Sequence, residues 1–317
     1  MSPEFETTIS KAPSGADLFL YQMEASLEFS NGREKAKGIV QINHGMAEHG
    51  ARYQRFAVNL SKAGYHVIVH DHRGHGQTKA SDAPLGVFAA KDGLQTAIDD
   101  MLHINQLASK QYPNLPIVLF GHSMGTILGF NYCLKYPQTI AAAALWNSGF
   151  DTGALSSVFR LLLNIERMFK GSDVPSRLAQ KMTFEDWNKK FAPNRTDFDW
   201  LSRDNAEVDK YVEDPLCGFP VSIGMWLSVL AAIEFGADNN NLNALPKHLP
   251  FHLQGGSEDP CSARGKAVAR LAKRLEQSGL QNVSLNIIPD TRHESLNEIN
   301  REKITTDFIG WLDKTIG

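Results

Sequence analysis

Ile117-Val118-Leu119-Phe120-Gly121-His122-Ser123-Met124-Gly125 is the stretch that decides the fold. Four apolar residues, Ile117–Phe120, read as a buried strand, and the apolar pattern from Met124 to Tyr136 reads as a helix. Between them, Gly121-His122-Ser123-Met124-Gly125 is G-x-S-x-G in a strand-turn-helix setting. The glycines suit a tight turn in which a side chain at 121 or 125 would collide with neighbouring backbone. The turn lifts Ser123 Oγ above the sheet and aims the Met124 N–H at the same point, which makes Ser123 a candidate nucleophile.

Outward from this turn, short apolar runs alternate with longer helical patterns, the mark of a mostly parallel sheet flanked by helices. The strands are expected at Lys37–Asn43, His66–His70, Ile117–Phe120, Ala141–Trp146, Pro250–Gln254 and Val283–Ile288, with an antiparallel edge from Glu4–Ser10 and Leu18–Glu24. Helices are expected at Tyr53–Ala63, Gly93–Gln111, Met124–Tyr136, Ala263–Ser278 and Ser295–Lys314. The alternation fails between about Phe150 and Asn243, which predicts a helical cap over 150–243 inserted into a core of 1–149 and 244–317. Of 29 aromatic residues, 12 fall between Phe150 and Phe235, so this segment carries either a small second core or the apolar underside of a lid. Phe159, Trp187, Trp200 and Trp226 are its candidate substrate contacts. Leu155, Val158, Phe159, Leu162, Ile165 and Phe169 form a near-helical stripe that fits burial against the core or rest on a lipid surface.

A serine hydroxyl needs a base, and the base needs a carboxylate that fixes its tautomer. On this kind of turn the chain order is nucleophile, acid, histidine. Among 11 histidines only His293 lies beyond the loop expected to carry the acid, and it follows the strand Val283–Ile288. Asp259, in Gly255-Gly256-Ser257-Glu258-Asp259-Pro260 after the strand Pro250–Gln254, is the preferred acid over Glu258 and Asp290. The loop Asn43-His44-Gly45-Met46-Ala47-Glu48-His49 would supply a second oxyanion donor, the Met46 N–H, beside that of Met124.

His70-Asp71-His72-Arg73-Gly74-His75 has the look of a metal-hydrolase motif, but glycine follows Arg73 where a ligating aspartate is needed, and His44 and His49 are spaced by five. No metal and no organic cofactor is expected. Lysine and arginine total 32 against 35 acids, a net charge of −3 with no long basic run, which excludes a nucleic-acid binder. Three distant cysteines, Cys133, Cys217 and Cys261, fit a reducing compartment. The acidic start MSPEFETTISK and the absence of any stretch near 18 apolar residues predict a cytoplasmic protein, with transient membrane or micelle contact through the cap left open.

Taken together, His44-Gly45-Met46-Ala47-Glu48-His49 with Arg52-Tyr53, Asp71-His72-Arg73-Gly74-His75-Gly76, the Ser123 turn, Gly256-Ser257-Glu258-Asp259 and Arg292-His293-Glu294 resemble an α/β-hydrolase of the monoacylglycerol lipase and lysophospholipase type, grouped with the serine aminopeptidase-like hydrolases. The resemblance covers nearly the whole chain. It implies Ser123 as nucleophile, Asp259 as acid, His293 as base, the N–H groups of Met46 and Met124 as oxyanion hole, and a small apolar ester as substrate. Thr126 departs from it, standing where these proteins commonly have glycine. Two other readings stay open: an aminopeptidase or amidase, with Glu185, Asp186 or Glu207 holding the substrate amine, and a catalytically silent ligand-binding protein.

Overall fold

A computed structural model describes residues 4–26 and 35–317. Among the described residues eight strands form one sheet: β1 Glu6–Lys11, β2 Asp17–Met23, β3 Gly38–Asn43, β4 Tyr65–His70, β5 Ile117–His122, β6 Ala142–Trp146, β7 Phe251–Gly256 and β8 Val283–Ile288. Their order is β1-β2-β4-β3-β5-β6-β7-β8. The pairs β1–β2 and β2–β4 are antiparallel and all the others are parallel, so the expected antiparallel edge is present. Every residue of β3, β5, β6 and β7 is buried, because helices cover both faces. That is why these strands read as continuous apolar runs rather than alternating ones.

The helices are α1 Gln54–Lys62, α2 Gly93–Gln111, α3 Met124–Lys135, α4 Ala154–Lys170, α5 Arg177–Gln180, α6 Asp186–Lys189, α7 Asn205–Glu213, α8 Ile223–Ala237, α9 Lys266–Gln277 and α10 Arg301–Ile316. On one face of the sheet Phe56 and Leu60 of α1 and Ile304, Phe308 and Leu312 of α10 pack on Val40, Phe120 and Trp146. On the other face α2, α3 and α9 share a larger cluster with Leu119, Leu145 and Leu253. Helix α3, which follows Ser123, is buried almost all round, and α8 lies across it. Asn131 of α3 spans that contact, donating to the Ala232 carbonyl at 2.9 Å.

The helix expected over Ser295–Lys314 divides into a short 3-10 turn, Ser295–Asn297, and α10. The cause is Glu298, fully buried between them, whose carboxylate accepts from the backbone N–H groups of Arg292, Arg203 and Ile299. A side chain recruited by three separate backbone donors holds the chain out of helical geometry there.

Between β6 and β7 the described chain runs through α4 to α8. Its apolar residues do not form only a separate core. Phe159, Leu163, Ala179, Phe219, Ile223 and Trp226 join the cluster under the sheet, while Trp200, Leu201 and Tyr211 centre a smaller one. The stripe on α4 behaves differently from burial against the core. Of its six residues only Phe159 is buried, whereas Leu155 is 76% and Phe169 84% exposed, because α4 turns that face outward. Among the described residues no helix is long and apolar enough to cross a membrane.

Candidate active site

Strand β5 ends at His122, and Ser123 follows with φ +55° and ψ −117° before α3 begins at Met124. A non-glycine residue held there stores roughly 1–3 kcal/mol of backbone strain. Neighbouring main chain enforces it: Ser123 N–H donates to the Trp146 carbonyl of β6 at 3.0 Å, and the Ser123 carbonyl accepts from Thr126 N–H at 3.0 Å. The two glycines are required by space. A Cβ on Gly121 would lie 2.4 Å from the Gly125 carbonyl oxygen, and one on Gly125 would lie 2.0 Å from that of Asn43. Thr126 is fully buried, and its hydroxyl lies 2.8 Å from the Gly121 carbonyl and 2.7 Å from that of Trp146. It therefore ties the start of α3 to the ends of β5 and β6.

Asp259 and His293 meet across the ends of β7 and β8. Both are buried, and His293 Nδ1 lies 2.9 Å from Asp259 Oδ1. The Ser262 hydroxyl donates to Asp259 Oδ2 at 2.7 Å and the Cys261 N–H to Oδ1 at 3.0 Å. Burial alone would push the Asp259 carboxyl up, but the His293 imidazole and these donors outweigh it and hold it below the usual carboxylate range. An ionised Asp259 fixes the Nδ1–H tautomer, leaving Nε2 as the basic nitrogen. The rejected acids lie elsewhere. Glu258 faces Arg264 at 3.7 Å, and Asp290, at φ +54°, gives its N–H to Ser257 Oγ.

The loop after β3 is clamped from within. His44 Nε2 accepts the His72 N–H at 2.9 Å, so its proton sits on Nδ1, which donates to the Gly45 carbonyl at 2.7 Å. Burial holds His44 neutral, its pKa lowered to about 3. Gly45 N–H donates to Glu48 Oε1 at 2.5 Å, and a Cβ on Gly45 would lie 3.3 Å from that of Ser123. Met46 and Met124 both line a cavity of about 220 Å³ that holds Ser123. Met124 is also the first residue of α3, where a backbone N–H has no intrahelical acceptor. Ile127, Phe159, Phe184, Trp187, Trp226 and Leu230 furnish much of the remaining wall.

The description "Serine aminopeptidase, S33" matches residues 34–300 of the chain. The chain belongs to that family. The chain is 27% identical over 277 residues to a monoacylglycerol lipase of Mycolicibacterium smegmatis, covering 87% of this chain and 88% of that one. It is 30% identical over 279 residues to a monoglyceride lipase of Rattus norvegicus, covering 83% and 81%. A thermostable carboxyl esterase from Bacillus coagulans shares the fold, with a TM-score of 0.87 at 23% identity over 99% of this chain and all of that one. The chain is thus an α/β-hydrolase of the monoacylglycerol lipase type.

Of the aromatic residues expected to meet substrate, Phe159, Trp187 and Trp226 line the cavity but Trp200 does not. Trp200 is buried against the His293 ring, centroids 4.8 Å apart, and stacks on Phe184. It braces the histidine from the inserted segment. Phe184, one of the aromatic residues of the insertion, also lines the cavity from a π-helical turn, Lys181–Glu185, whereas sequence reasoning missed Cys261, which lines it two residues after Asp259. It missed a buried ionic cluster behind the site too. Arg52 bonds Glu48 at 2.5 Å and Glu294 at 2.6 Å, and all three stand within the stretches that carry the family resemblance. Spacing gives one cue to their pairing, Glu48 and Arg52 at i,i+4, which is the ordinary pattern of an exposed helical pair.

One group among the described residues, His49, Asp214 and Cys217, brings metal-ligating atoms within 4.8 Å of one another. His49 Nε2 is already hydrogen-bonded to Asp214 at 2.8 Å, and burial pushes the Cys217 thiol up with Arg52 beside it. The group serves as a contact between the β3 loop and the inserted segment.

Proposed function

We propose that this ester hydrolase cleaves carboxylic esters with an apolar acyl chain, monoacylglycerols among them, through an acyl-enzyme formed on Ser123. The observation that carries the reading is the apolar cavity that opens directly on Ser123. His293 Nε2 takes the Ser123 proton as Oγ attacks the carbonyl carbon, and the oxyanion forms on the N–H groups of Met46 and Met124. Collapse breaks the ester bond, and His293 returns its proton to the leaving alcohol. A water then adds to the acyl group with His293 as base, and the acid departs. Residues 150–243 act as the lid over this site in the same reading.

An aminopeptidase would need an acid in the cavity to hold a substrate ammonium. Glu207 is taken by Arg55 and Lys210, Glu185 lies outside the cavity wall, and Asp186, on the adjoining groove, faces Lys190 at 3.6 Å. Asp151, which does line it, is engaged by the Arg270 guanidinium. These pairings favour the ester.

A volume of about 220 Å³ lies below the roughly 300–1,000 Å³ of pockets that enclose drug-sized ligands. The cavity shares Asp151, Phe159, Thr183 and Trp187 with an open groove of about 890 Å³ running past Leu155 and Met182. A long acyl chain would continue into that groove. Each methylene buried contributes about 0.8 kcal/mol, so kcat/KM for aryl esters should climb about fourfold per added carbon until the apolar wall ends. The series is run with monoacylglycerol and an aminoacyl amide alongside. A preference for the amide overturns the ester reading, and an optimum at two to four carbons replaces it with a small-ester carboxylesterase.

The outward face of α4, with Leu155, Val158, Leu161, Ile165, Met168 and Phe169 exposed beside that groove, is assigned here to transient contact with a membrane or micelle. Replacing Met168 and Phe169 by serine should slow hydrolysis of a vesicle-borne monoacylglycerol at least several-fold while leaving a soluble short-chain ester unaffected. Equal rates on vesicles would remove the assignment.

A further inference from the structure

His122, the residue before Ser123, is buried with both ring nitrogens facing oxygen acceptors. Nε2 lies 3.0 Å from the His293 carbonyl oxygen, and Nδ1 lies 3.4 Å from Glu48 Oε1. A neutral imidazole has one N–H, so in either neutral tautomer one ring lone pair would point at an oxygen that can only accept. Doubly protonated, the ring donates to both.

The surrounding charges point the same way. Glu48 and Glu294 are two buried carboxylates, and among the described residues Arg52 is the one cation bonded to both of them. Tyr53 gives its hydroxyl proton to Glu48 Oε1 at 2.9 Å and adds no charge. Arg55, on the far side of the same small space, is occupied by Glu207 and Asn297. With a neutral His122 the group Glu48, Glu294, Arg52 and His122 would carry an uncompensated buried negative charge; with an imidazolium it is neutral.

We propose that His122 is a standing imidazolium in the resting enzyme, a positioning residue that locks the oxyanion loop and the histidine loop to the Ser123 turn. The inference rests on the proposed roles of Ser123 and His293. Glu48 holds Gly45 N–H at one end of the link, and the His293 carbonyl is held at the other. Burial disfavours charge on His122, yet Glu48, Glu294 and the His293 carbonyl raise its affinity for a proton above the ordinary value. The His122 and His293 ring centroids are 4.9 Å apart, so the ring that holds the His293 backbone also packs against its imidazole.

The direct test is nitrogen NMR of the full-length native enzyme, with the His122 ring assigned through its own bonded carbons rather than by mutation. Both ring nitrogens are expected at protonated-nitrogen shifts from pH 6 to 8. A neutral tautomer anywhere in that range overturns the proposal, whatever the substrate proves to be. The second readout is the split between kcat and KM in His122→Gln, which can still donate one hydrogen bond but carries no charge. Its kcat should fall about tenfold with KM little changed, as loss of positioning at the reacting groups requires. An unchanged kcat would reduce His122 to a packing residue. Loss of all activity in Ser123→Ala, with His122 still doubly protonated, keeps this proposal and the assignment of the nucleophile separately testable.

Discussion

Ser123→Ala should lose on the order of a millionfold in kcat on any ester and all labelling by a fluorophosphonate. The replacement removes one oxygen and nothing that holds the turn. Ser123 is fixed by its own main chain, through Trp146 and Thr126, and alanine meets the same φ of +55° at the same steric cost. Its melting temperature should therefore stay within a few degrees of the parent's, so lost activity cannot be blamed on lost fold. Asp259→Asn should behave differently. It keeps the shape but presents an amide to His293 Nδ1, favouring the wrong tautomer at a loss of about ten-thousandfold. Residual activity of Ser123→Ala above one per cent would mean that the nucleophile lies elsewhere.

The second large effect concerns acid. His44, His70 and His75 are buried with their pKa values lowered to about 3, and His72 lies well below its ordinary value. Burial is the main cause in each, and the four rings crowd one another, with His44 and His72 centroids 4.5 Å apart. Among the described residues neither ring nitrogen of His70 or His72 has a hydrogen-bond partner. The sign follows from proton counting. Between about pH 6.5 and pH 3 the unfolded chain binds protons on these histidines and the folded chain does not, so stability falls as pH falls. Each group contributes a slope of about 1 kcal/mol per pH unit, and four together give roughly 4. Native domains are stable by only about 5–15 kcal/mol, so unfolding should set in between about pH 5 and pH 4. Urea titrations at pH 6 and pH 5 should differ by several kcal/mol; a difference below about 1 kcal/mol would show that the cluster is hydrated or charged in the native state.

Much of this molecule is legible in the chain because its parallel strands are buried on both faces. An apolar run such as Ile117–Phe120, closed by a glycine turn and followed by a helical pattern, has few other places to go. The Ser123 turn, the Asp259 loop and the His293 loop follow each from its own strand, and strand order brings them to one edge of the sheet. The inserted segment is less legible. The stripe on α4 has the same periodicity whether it faces a core or solvent, so Leu155 and Phe169 could not be placed outside from spacing alone. Trp200 and Trp226 are alike in composition, and only tertiary packing puts one behind His293 and the other in the cavity wall. Glu298 breaks a predicted helix through contacts with Arg203, 95 positions away, which no local pattern records. The Glu48, Arg52, Glu294 and His122 cluster escaped for a related reason. These residues stand in separate motifs, and only the packing of the loops after β3 and β8 against the Ser123 turn brings them together.

The nucleophile is identified most directly by the residue that an active-site phosphonylating agent modifies. Native protein is treated with a fluorophosphonate, digested and mapped by mass spectrometry, in parallel with its rate on a monoacylglycerol. One phosphonyl adduct is expected, on Ser123 in the peptide containing Gly121–Gly125, and its growth should track the loss of hydrolysis. An adduct on another residue, or hydrolysis that persists once Ser123 is fully modified, would contradict Ser123 as the nucleophile.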